Sequence, residues 1–591
     1  MPILYVIIFI PQKSVKNQNI VGKYNVHSIF QEVSMADSSF SYSSLFKGKT
    51  LMVIIPHEDD EINIAGSTIH GSILEGIHVI CVFSTWGDNS YTPDIRRREA
   101  VKSLSTLGVK EHDIIFLGYP DGGVHGENAV YIHGDSDNFT VRGRHETYGT
   151  KAAPDFCMAA HGFHRPFTRE GMIQDMEDVV LAHKPDAILC IDYDVHPDHR
   201  ACSAAFETAI GRILQRPGNK YFPVIFKGFA YKTAFESVPD FYAPHMLSTV
   251  FARDNLPEPS WETSNPAYAW DERIRLPVPE ECRRPLLSDN LIHKAFCCHV
   301  SQKGYRYAAK VANGDQVFWK RRTDNLSMQA AVSASSGNIN YLNDFLLLGS
   351  SDLAKPAMPM DDCLWAPSED DKIKTCRLTF THPVTIREAV LYGNIDTESR
   401  ILDGTLRFST GYEFHTGPFR KNGLPNDFSI EVQKSVDWVE FTINEAEGFT
   451  PGLTELELYE EEDTTSMIHI LADGNFAYDW TVWPGEKPKI SAWTYGSDDD
   501  VSWEMNGSPS SIGQIQEELN RLKKPITIRA FLTEHPDIWD EAVFAPDSSS
   551  ALRSLRFHQK LDRWKNTFER FRQKSQHHAL RKEAKKEKSK K

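Results

Sequence analysis

Leu51-Met52-Val53-Ile54-Ile55-Pro56 runs without a break into His57-Glu58-Asp59-Asp60-Glu61. A continuous apolar run of this kind forms a strand buried on both faces, as in a parallel sheet, and the polar turn then caps its carboxyl end. Working outward, the runs at 78–84, 114–117 and 187–191 read as further strands. Helical stretches separate them: one through Ile69 and Ile73, one at 96–107 stopped by Gly108, one at 168–183, and one opening near Arg200. Alternating strands and helices predict a Rossmann-like α/β parallel sheet with right-handed crossovers. Ligands bind such sheets beyond the carboxyl ends of the strands. A second polar cluster, His196-Pro197-Asp198-His199, stands just beyond the run at 187–191.

Composition narrows the classes. A chain of 591 residues exceeds one compact unit several-fold. With 65 Lys+Arg against 81 Asp+Glu, its formal charge is −16. Residues 551–591 hold fifteen Lys/Arg and four Asp/Glu, a net +11, which leaves −27 on everything before them. An acidic body does not suit a nucleic-acid binder, which must neutralise phosphates. The nine cysteines are an odd number without CxxC spacing, which indicates a reducing compartment and free thiols rather than a disulfide framework. The apolar run at 3–10 is too short to span a bilayer and has no basic start. Met35 reads as a natural beginning, with 1–44 an extension before the first domain. A cytoplasmic location is expected.

The α/β unit is expected over 45–330. Within it, the Gly-, His-, Asp- and Asn-rich insertion from Gly122 to about Arg169 reads as a substrate-side lid, because long loops in compact domains are usually functional or disordered. His125, His133, His145, His161 and His164 lie there; without paired ligand spacing they read as a solvated loop rather than a second metal site. A linker is expected at 331–372. Short strand-like segments split by turn residues then predict an all-β sandwich at 373–462, and a second, immunoglobulin-like β unit at 463–545. Residues 546–591 read as a basic helix and a Lys-rich tail. Leu561, Trp564, Phe568 and Phe571 form one apolar stripe on that helix. Such a stripe more often packs on a neighbouring domain than lies on an anionic membrane, so weak membrane-surface contact is the second reading.

Two His/Asp clusters at the carboxyl ends of two parallel strands can meet in space. A catalytic zinc site needs three N/O protein ligands and one open position, and these clusters contain suitable residues. On these residues the chain resembles the PIG-L/LmbE deacetylases, whose signature is a His-Pro-Asp-Asp-Glu turn with a distal His-x-Asp-His. The likeness extends to Arg96-x-x-Glu99 with Leu107-Gly108, to Tyr119-Pro-Asp121-Gly, and to His299-x-Ser-Gln302, and covers roughly 45–305. The resemblance implies zinc ligands His57, Asp60 and His199, with Asp59 as general base. It makes His196 the oxyanion partner, Asp198 the carboxylate that orients an imidazole, and Arg96 and Asp121 the sugar contacts. It also implies a hydrolase that frees acetate from an N-acetylglucosamine-type unit of a glycan or glycoconjugate. Two positions depart from the pattern. Glu58 replaces the usual Pro, and Asp194, beside Tyr193, stands where some relatives carry a Tyr. The unit at 373–462 resembles galactose-binding-like (discoidin/F5-F8 C type) modules, through Tyr392-Gly-Asn, the segment 404–409 and the closing 452–459.

Bland readings compete at each position. Arg96 could be a surface charge, Asp121 a turn residue, and the sandwich a structural spacer. Two rivals to the deacetylase reading are a zinc amidase or esterase on another acylated sugar or thiol conjugate, and a non-catalytic carbohydrate-binding protein.

Overall fold

The structure, a computed structural model, describes residues 38–89, 91–122, 144–194, 196–230, 235–236, 241–251, 268–348, 363–395 and 398–588. The expected extension before Met35, most of the expected lid, and His125 and His133 lie outside these residues.

The apolar runs form β1 (Thr50–Ile55), β2 (His78–Thr85), β3 (Ile114–Tyr119), β4 (Ala187–Ile191) and β5 (Val224–Gly228). All five are parallel, in the order β3-β2-β1-β4-β5. Strands Asp315–Arg321 and Ile274–Pro277 extend the sheet to seven, the first antiparallel to β5 and the second antiparallel to the first. Leu51 to Ile55 are fully buried, as a central strand covered by helices on both faces requires. Helix Pro93–Leu107 ends at Gly108, whose φ of 104° suits a residue without a Cβ. Helix Arg169–His183 starts where the Thr168 side chain accepts from the Gly171 amide, and Pro197–Gln215 carries Pro at its first turn.

The order reverses between β1 and β4, because the chain leaves β1 toward β2 and β3 and later returns to the other side. That switch point opens a crevice at the carboxyl ends of these two strands. His57 follows β1 directly, and His196 follows β4 after a short loop. The topology therefore delivers the two polar clusters to one place.

Beyond the α/β unit, antiparallel strands Thr375–Gly393 and Pro425–Glu447 form the spine of a six-stranded sheet. Register shifts between Thr379 and Glu388 bend it around a core that includes Leu391, Leu406, Phe408 and Phe441. Described parts of the stretch 331–372, expected as a linker, belong to this unit. Ala331–Ala334 pairs with the long strand, and Leu342 and Trp365 are buried in the same core. The segment reads as a linker because its described buried residues cluster at 342–348 and 363–365 without a helix or strand period.

A three-stranded and a five-stranded sheet follow, sharing a core around Trp480, Trp503 and Phe544. This unit departs from the immunoglobulin expectation. Helix Ile512–Asn520, begun by a Ser511/Gln514 capping box, buries Ile515 and Leu519 against the strands, and Asp479–Val482 pairs parallel with Trp539–Pro546. The chain then forms the 40-residue helix Ser549–Lys588. Its Leu561, Trp564, Phe568 and Phe571, for which inward packing is the first expectation, face solvent instead. The polar side is buried because Asp562 there accepts hydrogen bonds from Tyr242 and from the amides of Leu287 and Ser288. Among the described residues, no helix is long and apolar enough to cross a membrane. All nine cysteines are free.

Arg321 clasps the first two units together. Its guanidinium donates to the Phe345 carbonyl at 2.7 Å, reaches Glu457 at 3.3 Å and Glu207 at 3.9 Å, and lies 3.7 Å over the Phe345 ring. Arg321→Ala would leave two buried carboxylates without this counter-charge, at a cost of about 3–5 kcal/mol. The expected result is a lowered denaturant midpoint followed by tryptophan fluorescence, with Trp319 reporting from the same junction.

Candidate active site

Pro56 ends β1, and the chain turns sharply to begin helix Asp60–Leu74. Asp59 makes this turn with φ at 149°, a region costly for any residue with a Cβ. The turn is held from outside. The Asp59 amide donates to Glu61 Oε2 at 2.8 Å, and Glu61 Oε1 lies 2.6 Å from His299 Nε2, both side chains fully buried. Burial alone would lower the His299 pKa, but the Glu61 carboxylate pushes it up to about 9. The neighbouring Ser301 donates through its amide and hydroxyl to Glu99. The His299-x-Ser segment thus braces both the turn and the helix that carries Arg96.

The turn presents its side chains to the crevice. Asp60 Oδ2 lies 3.2 Å from His57 Nδ1 and 3.4 Å from His199 Nε2, so one carboxylate oxygen sits between two imidazoles. Asp60 Oδ1 is buried without a hydrogen-bond partner among the described residues. The rings of His57 and His199 are 5.6 Å apart, and His196 lies 4.8 Å from each. Candidate ligand atoms of His57, His196 and His199 fall within 4.8 Å of one another, as do those of His57, Asp121 and Asp198. Among the described residues these are the groups able to hold a metal ion, and both are here. An N/O donor set around an oxygen left without a donor suits a divalent cation.

Each expected residue can be placed. His57, Asp60 and His199 come together at the centre. Asp198 Oδ2 is 2.8 Å from His57 Nε2 and accepts from the Gly122 amide, so the imidazole it addresses is His57; His196 Nδ1 is 4.0 Å away. His196 Nδ1 accepts the Asp198 amide at 3.2 Å, which leaves the ring proton of the neutral form on Nε2. Burial and the nearby His57 and His199 push the His196 pKa down to about 2, which keeps the ring neutral. Burial and Asp60 push Asp59 up to about 7, with Arg96 opposing. Burial opposes the ionised form of Asp60, but His199 and His57 hold its pKa well below the usual carboxylate range.

Arg96 and Asp121, expected as sugar contacts, are drawn into the same cluster. Arg96 Nε lies 3.0 Å from Glu58 Oε2, and its Nη2 donates to the Glu58 carbonyl at 2.9 Å and approaches Asp59 Oδ1 at 3.4 Å. Asp121 lies 3.6 Å from Arg96 and 3.9 Å from His57. The Glu58 that departs from the family pattern is therefore an ion-pair partner that fixes Arg96 beside the turn. Gly87 makes room for this guanidinium: its φ is 55°, and a Cβ there would collide with Arg96 Nη1.

Sequence reasoning missed several members. Asp194 Oδ2 is 2.7 Å from His199 Nδ1 and orients that ring, while burial opposes but Asp194 and Asp60 push the His199 pKa up to about 10. Asp88 accepts from the Asp121 amide and the Tyr148 hydroxyl. His161 and His164 pair with Asp178 and Asp155, away from the cluster.

Residues 52–210 match the model of the PIG-L family, described as GlcNAc-PI de-N-acetylase. Residues 325–459 match a domain of unknown function, DUF7402. No curated protein matches the chain. Among solved structures, the N,N'-diacetylchitobiose deacetylase from Pyrococcus horikoshii is 24% identical over 31% of this chain, with a TM-score of 0.21. The chain spans 61% of that enzyme's length. The conserved protein TT1542 from Thermus thermophilus is 16% identical, covering 46% of this chain and 93% of its own, with a TM-score of 0.24. A deacetylase mutant from the teicoplanin biosynthetic pathway is 13% identical, covering 46% and 99%, also with a TM-score of 0.24.

Asp194→Asn keeps the shape of the side chain beside His199 but removes its charge. Changes to such outer partners weaken metal binding by about 10–100-fold. Competition against a fluorescent chelator measures this; unchanged affinity would show that Asp194 does not tune the ligand.

Proposed function

We propose that this chain is a zinc-dependent hydrolase that removes the acetyl group from an N-acetylglucosamine-type unit of a glycan or glycoconjugate. One observation carries the reading: the Asp60 carboxylate lies between the imidazoles of His57 and His199, and Asp59 stands beside it on the same braced turn. His57, Asp60 and His199 would hold the zinc, a set of three protein ligands typical of catalytic rather than structural sites. Bound zinc supplies positive charge that makes water nucleophilic near neutral pH and polarises an amide carbonyl. The description of the family matched by residues 52–210 supports an acetylated hexosamine as substrate.

The side chains supply the rest. Asp59 accepts a proton from the attacking water as its oxygen bonds to the acetyl carbon. His196 donates its Nε2 proton as a hydrogen bond to the carbonyl oxygen as that oxygen becomes negative. Asp59 then returns the proton to the nitrogen while the C–N bond breaks, and acetate and a free amine leave. Asp198 keeps His57 in place, and the Glu58–Arg96 pair keeps Asp59 in place. Arg96 also balances part of the negative charge that Glu58, Asp59, Asp60 and Asp121 bring to the crevice.

Three measurements test this. Chelation should abolish acetate release from N-acetylglucosamine conjugates, and added zinc should restore it. Asp59→Ala should lower kcat by about 10²–10⁴ with zinc still bound, and His196→Ala by about 10²–10³. Acetate release undiminished in Asp59→Ala would sink the assignment.

A further inference from the structure

Helix Ser549–Lys588 is fastened to the α/β unit by its polar side. Asp562 accepts from the Tyr242 hydroxyl at 2.9 Å and from the Leu287 and Ser288 amides at 2.8 and 3.3 Å. His577 Nδ1 lies 3.3 Å from the Val300 carbonyl, and Ala584 packs on Tyr91 and Ile95. The opposite side carries Phe557, Leu561, Trp564, Phe568 and Phe571, each between 44 and 69% exposed. Alternating steps of four and three place all five along one line, about 21 Å long at 1.5 Å per residue. A row of large apolar side chains in water marks an interaction site.

The edges of the row narrow the choice of partner. His558, Lys565 and Arg572 flank one side, and Lys560 and Lys574 flank the other. The two carboxylates within this span lie off the row: Asp562 is buried, and Glu569 turns toward Arg572 and Gln573. The occupant must therefore be apolar along its middle and anionic along both margins. A second copy of this helix meets the first condition and fails the second, because pairing two such rows sets Lys and Arg against Lys and Arg on both edges.

We propose that this face lies on an anionic phospholipid surface, with the aromatic side chains at the boundary of headgroups and acyl chains and the flanking cations against lipid phosphates. Because the polar side does the fastening, the row is presented with the helix still in place. This proposal is independent of the reaction assigned to the α/β unit.

The test uses the full chain with phosphatidylcholine vesicles, with and without phosphatidylserine. Co-sedimentation is expected with the phosphatidylserine vesicles and should fall at least about tenfold with phosphatidylcholine alone. The W564E/F568E double variant should bind at least about tenfold more weakly, with an unchanged circular dichroism spectrum because both side chains are exposed. K560E/K565E should also lose binding while its apolar row is intact. Equal sedimentation of wild type and W564E/F568E, or none with either vesicle, would overturn the proposal. So would a wild-type dimer in sedimentation velocity that W564E/F568E dissolves, since a second copy would then occupy the row. Acetate release from a water-soluble substrate reads the active site separately, so failure of one assignment leaves the other standing.

Discussion

Glu61 holds the turn on which the site is built. Its carboxylate takes the Asp59 amide on one oxygen and His299 on the other, in a place water does not reach. Without that support, the Asp59 backbone would relax toward a common conformation, and the directions of Asp59 and Asp60 would change together. Asp60 could then no longer sit between two imidazoles brought from different strands. The strain of the turn is small beside the burial of the surrounding sheet, which supplies the rigidity that maintains it.

A crevice crowded with carboxylates needs counter-charge, and the chain provides it in layers. Arg96 sits among Glu58, Asp59 and Asp121. His299 faces Glu61. The same device recurs where the α/β unit meets the sandwich, with Arg321 against Glu207 and Glu457 and Lys320 against Asp463. Buried ion pairs of this type add little net stability, but they penalise any arrangement that separates the partners.

Much of the α/β unit was legible in the sequence because its strands are continuous apolar runs and its two clusters follow directly on strands. The central residues His57, Asp60, His196, Asp198 and His199 were legible for the same reason. The roles of Asp194 and Gly87 were not, and His299, though legible as part of His299-x-Ser-Gln302, gave no sign of its partner Glu61, 238 positions away. Arg96 and Asp121 were legible as members of the site, while their packing against the turn depends on Glu58, whose direction a sequence does not give. The C-terminal helix shows a further limit. Periodicity identified its apolar row, but the inward side was chosen by Asp562 and His577, two polar residues that find partners in distant loops.

The fastening of that helix also sets its distance from the chemistry. His577 touches the carbonyl of Val300, the residue between His299, which supports Glu61, and Ser301, which supports Glu99. The contact thus falls on the residue that separates those two supports. The inward side of the helix therefore meets the segment that supports the Asp59 turn at this contact.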